Sequence, residues 1–95
     1  MPDNAFDPSS LEVPKAADLR RAVEAVLLYR DQDISGVGMV LDEAAAEHRT
    51  THVVAALLFL LNRELDQQAR FHGEDAVVGA LRTMIAAVAA TEEDD

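Results

Sequence analysis

The sequence predicts an all-α protein: a compact four-helix, antiparallel bundle-like domain with an apolar third helix at its centre. Three observations lead there. The run Val53-Val54-Ala55-Ala56-Leu57-Leu58-Phe59-Leu60-Leu61 is apolar on every side of a helix, and such a helix has to be covered all round. Apolar residues recur at three- and four-residue steps in four segments, and no segment alternates with the period of two that marks a strand. The connections are short, which favours antiparallel neighbours.

The first helix is expected over residues 14–30. Pro14 suits a first helical position, where its missing N–H is not needed, and Ala16, Leu19, Val23, Val26 and Leu27 form the core stripe. Asp31-Gln32-Asp33 breaks it, and Asp33 can cap a second helix over 34–47 by accepting from free N–H groups of its first turn. That helix carries Ile34, Val37, Leu41, Ala44 and Ala45 on one face. Thr50 or Thr51 is expected to cap a third helix running to about Phe71, with Gly73 as a left-handed stop. Its core stripe is Val54, Leu57, Leu58, Leu61 and Leu65, and a second stripe of Val53, Ala56 and Leu60 lies nearly opposite. Glu74 and Asp75 suit the positive end of a fourth helix, whose face is Val77, Val78, Leu81, Met84, Ile85 and Val88. Residues 1–12 read as a flexible arm, 13–91 as a single helical domain and 92–95 as a disordered acidic tail.

Composition narrows the function. A chain of 95 residues makes one small domain. Its 17 alanines and four aromatic residues imply a thin core of closely approaching helices. Without cysteine there are no disulfides, no thiolate metal sites and no thiol catalysis. The N-terminus lacks the basic and apolar regions of a signal peptide, and no segment has the length of a membrane span, so a cytoplasmic protein without a membrane partner is expected. The net charge of −10 sits largely at the ends; away from Asp3, Asp7, Glu12 and residues 92–95, eleven acids face eight bases. No broad basic face exists to bind nucleic acid phosphates.

Residues 31–42 hold the sharpest local motif. Asp31, Asp33, Ser35 and Asp42 fall at the oxygen-bearing positions of an EF-hand-type calcium loop, with Gly36 at its bend. Gly38 stands where an apolar residue belongs, Asp42 is shorter than the usual bidentate Glu, and no second loop pairs with it. The competing reading makes Asp33 a helix cap and Ile34, Val37 and Leu41 core. It requires fewer assumptions, and no metal is favoured. Glu47, His48 and His52 could hold zinc on an unbroken helix, but the break at residues 49–51 separates the histidines. Gly36-Val37-Gly38 lacks the strand and the Lys-Ser/Thr of a phosphate loop. Those glycines, and Gly79, are instead expected to let helices approach closely. Ser9, Ser10 and Ser35 have no local base, and the adjacent acids Asp42-Glu43 and Glu74-Asp75 diverge on a helix. Ile34, Val37, Leu41 and Ala44 following an Asp resemble a tetratricopeptide-type helix pair over about a third of the chain. The pattern is not repeated, whereas a solenoid needs about three units, so it implies a helix hairpin and no family.

Surplus apolar surface is the functional signal. Leu28, Tyr29, Val53 and Leu60 lie off the main stripes and are the interface candidates. The expectation is a non-enzymatic helical protein-interaction or regulatory module without catalytic residues or cofactor. It self-associates as a homodimer or meets another protein. The alternatives are a calcium- or other metal-responsive sensor at residues 31–42 and, more remotely, an enzyme with a composite site between subunits.

Overall fold

The structure, a computed structural model, describes residues 14–92. The fold is all-α, with α1 (Ala16–Arg30), α2 (Ile34–Ala46), α3 (Thr50–His72) and α4 (Glu74–Glu92), and no strand among the described residues. The arm expected over 1–12 and the last three residues of the expected tail lie outside that range. Glu92 closes α4 rather than opening a tail.

The helix ends follow from local chemistry. Asp18, in the first turn of α1, reaches back to accept from the Lys15 backbone N–H at 3.0 Å, one half of a capping box. Pro14 precedes this cap instead of occupying the first helical position. At the far end Gln32 takes a left-handed φ of 61°. Its N–H donates to the Tyr29 carbonyl at 3.0 Å and that of Asp33 to the Leu28 carbonyl at 2.9 Å, the Schellman pattern. α2 ends the same way. His48 has φ 57°, its N–H donates to Ala45 at 3.0 Å and that of Arg49 to Ala44 at 2.8 Å. Asp33 caps α2 as expected, Oδ1 accepting from the Gly36 N–H at 2.9 Å. The threonine cap of α3 is not formed. The helical ladder starts with the Val53 N–H on the Arg49 carbonyl at 3.0 Å, so Thr50 and Thr51 lie inside the first turn. Gly73, at φ 90°, stops α3.

The chain divides into two compact units, Met1–Leu60 and Leu61–Asp95, with the division inside α3. In the first unit α2 runs antiparallel to α1. Arg20 and Arg21 near the start of α1 bind acids near the end of α2, and Leu28 near the end of α1 approaches Gly36 near the start of α2. A Cβ on Gly36 would stand 3.1 Å from Leu28 Cδ2 and 2.5 Å from Asp33 Oδ2. This glycine allows the close approach anticipated for it. Gly38 and Gly79 face open space, so no close approach explains them.

The core of this unit is Ala22, Ala44, Val53 and Ala56, with Leu19, Leu57 and Leu60 packed against it. It corrects the expected faces. α1 turns Asp18, Arg21, Ala22 and Ala25 inward, while Val23, Val26 and Leu27 are exposed. α2 buries Val40 and Ala44 and exposes Ile34 and Leu41. α3 buries Val53, Ala55 and Ala56, and the expected core residues Val54, Leu58 and Leu61 are exposed. The physical reason is the charge on α1. Asp18 binds Arg49 in the α2–α3 link, and Arg21 binds Glu43 of α2 and Glu47 of the link. Those pairs require that face of α1 to turn inward.

In the second unit Leu65, Gln68 and His72 of α3 line a groove with Ala76, Val77, Ala80, Leu81 and Met84 of α4.

Candidate functional site

Across residues 76–91, α4 carries a single charged side chain, Arg82. Its large residues Val77, Val78, Leu81, Met84, Ile85 and Val88 have the spacing of a core face. Not one residue of α4 is buried. Met84 is 62 % exposed, Ile85 68 % and Val88 56 %. On α3 the neighbouring stretch adds Leu61 at 56 % and Phe71 at 84 %. A helix of this composition is stable in water only when that face is covered, because helix propensity alone does not hold it. This apolar surface of residues 61–92 is the candidate site.

The interface candidates read from the sequence fall elsewhere. Val53 is the largest fully buried apolar side chain of the first unit. Leu60 packs against that core, and Leu28 is half-buried beside Gly36. Tyr29 alone of the four is exposed. The off-stripe residues of α3 became core because α1 and α2 pack on that side of it, which leaves the nominal stripe outside.

The proposed metal loop is not formed as a loop. Residues 34–46 are continuous α-helix, so Ser35 lies in its first turn and Asp42 in its third. Asp33 and Asp42 stand about 13 Å apart along the axis at 1.5 Å per residue. Asp31 ends α1, its N–H donating to the Leu27 carbonyl at 3.1 Å, and Asp33 is committed as a cap. The four oxygens therefore do not converge. His48 sits in the left-handed link and His52 on α3, so they share no helix face, and the Nδ1 of His52 is buried without a hydrogen-bond partner. Among the described residues no group of three or more His, Asp or Glu is placed to hold a metal ion.

A charge cluster that the sequence reading missed ties the first unit together. The carboxylate of Asp18 is fully buried. It accepts from Arg49 on two prongs, Nε to Oδ1 at 3.1 Å and Nη2 to Oδ2, and from the Lys15 N–H. Hydrogen bonding from the Arg49 guanidinium holds the Asp18 carboxyl below the usual carboxylate range, against the opposing effect of burial. Arg21, buried to 3 % exposure, donates from Nε to Glu43 at 2.9 Å and from Nη2 to Glu47. Arg20 adds bonds to Glu43 at 3.1 Å and to Glu24 at 2.8 Å. Arg21 and then Arg20 hold the Glu43 carboxyl low. These groups engage one another and clamp the start of α1 to both ends of the α2–α3 link. Four-residue spacings in Glu43/Glu47 and Arg20/Glu24 were the signal available in the sequence.

The fold and site define an all-α protein whose second unit leaves the apolar face of α4 unburied within itself. Comparison with protein-family models, with curated proteins and with solved structures gives no match. Among the described residues no helix is long and apolar enough to cross a membrane.

Proposed function

We propose that this protein is a non-enzymatic helical protein-interaction module, regulatory in character, whose docking surface is the apolar face of residues 61–92. One observation carries the reading: α4 has six large apolar residues and buries none of its residues. Exposed apolar patches of several hundred square ångströms on soluble proteins mark interaction surfaces. The partner class is protein, with a second copy of the chain first, since an acidic chain of net charge −10 repels nucleic acid phosphates. Hydrogen exchange tests the surface. In the native assembly the amides of residues 77–88 should exchange slowly, and Val78→Gln with Ile85→Gln should accelerate them at least tenfold while residues 19–57 keep their protection. Equal exchange in parent and variant would remove the reading.

A further inference from the structure

Resting on that reading, we infer that the partner of this surface is a second copy of the chain. α4 lies antiparallel on α4 of the other copy, and the two α3–α4 pairs close a four-helix bundle. The width of the apolar arc comes first. Ala80, Met84, Val77 and Leu81 turn toward the groove shared with α3, while Val78 and Ile85 lie about 80–100° further round at 3.6 residues per turn. With Ala80 the arc spans roughly 160°, well beyond the stripe of about 100° that one packed face requires. α3 lines one edge of it, and the other edge calls for a second helix.

Size gives the second argument. The second unit, Leu61–Asp95, has 35 residues. Below about 40 residues a chain holds a fold through disulfides, metals or oligomerisation. The sequence has no cysteine, and among the described residues there is no metal-holding group. Association with a second copy is a route that this size admits.

Self-complementarity is the third. Reversing α4 about its midpoint, between Arg82 and Thr83, sets Leu81 opposite Met84 of the second copy and Val77 opposite Val88. The flank away from α3 then pairs Val78 with Ile85 of the second copy. Large side chains fill the seam. Such a pairing is isologous and closes as a two-fold dimer. At their observed exposures Leu61, Leu81, Met84, Ile85 and Val88 supply on the order of 500 Å² per copy, hence roughly 1,000 Å² in a pair, the threshold for a specific interface. Like charges meet at the rim, Glu74 near Glu92 of the second copy, where salt screens them.

The test uses the full chain in light scattering beside circular dichroism. The expected mass is twice that of one chain, halved by Ile85→Glu with part of the helical signal lost as residues 61–92 are uncovered and that of the first unit kept, and raised salt should tighten the pair. Mixed chains carrying Val78→Cys and Ile85→Cys should oxidise to a mixed covalent dimer in several-fold excess over either self-pair. This second readout stands if Ile85→Glu fails to fold. A parent that stays monomeric at high micromolar concentration overturns the inference. If its Ile85→Glu variant then melts like the parent, the docking surface survives for a different protein; if that variant unfolds, the face is internal and the wider reading falls too. A dimer that withstands Ile85→Glu and yields no mixed disulfide overturns both.

Discussion

Gln32 and His48 hold left-handed backbone conformations at the ends of α1 and α2, where an L side chain is strained by roughly 1–2 kcal/mol. Gln32→Gly and His48→Gly should each stabilise the protein by about 1 kcal/mol, partly offset by the greater freedom of glycine in the unfolded chain. Thermal melts of the two single variants and the pair check this, and a drop in melting temperature for both would contradict the strain assignment. The sequence located the break at residues 31–33 and placed the second at 49–51, two residues beyond the observed link of 47–49. It did not show how either helix stops, because neither stop is a glycine. The third stop, Gly73, was legible because glycine there needs no tertiary support. Asp33 was legible as a cap for the same reason: its carboxylate needs only its own next turn.

At the scale of elements, four helices and most of their ends could be read from periodicity and turn residues, whereas the inward faces could not. Residues 53–61 of α3 are apolar on every side, so the pattern there carries no preferred direction. The side that packs on α1 and α2 is the one with Val53 and Ala56, and Val53 is 0 % exposed. Val53→Ala should therefore cost about 2 kcal/mol through lost burial and a residual cavity. Leu58→Ala, which the stripe alone would rank as the more damaging, should cost under half of that in the first unit, since Leu58 is 53 % exposed. Urea melts of both variants separate the alternatives, and a Leu58→Ala loss larger than that of Val53→Ala would show that the exposed side of α3 is covered in solution.

For the whole molecule, the charge cluster predicts an acid limit. Asp18 and Glu43 both have folded pKa values below their ordinary ones. Their contribution to stability is complete above the unfolded carboxylate values, about 3.9 for Asp and 4.3 for Glu. It is lost as pH falls through the lower folded values. The melting temperature should hold level from neutral pH to about 5 and fall below about 4. Asp18→Asn should lower neutral-pH stability by about 1–2 kcal/mol and flatten that acid slope. An unchanged slope would show that the Asp18–Arg49 pair does not form. By itself the sequence determined an all-α chain of four helices with the stops at residues 31–33 and 73, because propensity, capping and turn chemistry act within a few residues. Only the tertiary structure decided that Asp18 and Arg21 turn inward, that Val53 is core, and that α3 leaves the apolar face of α4 unburied within the second unit. Those outcomes depend on which helices meet, and the pairing is set by contacts between residues more than twenty positions apart, such as Arg21 with Glu43 and Asp18 with Arg49, which no local pattern encodes.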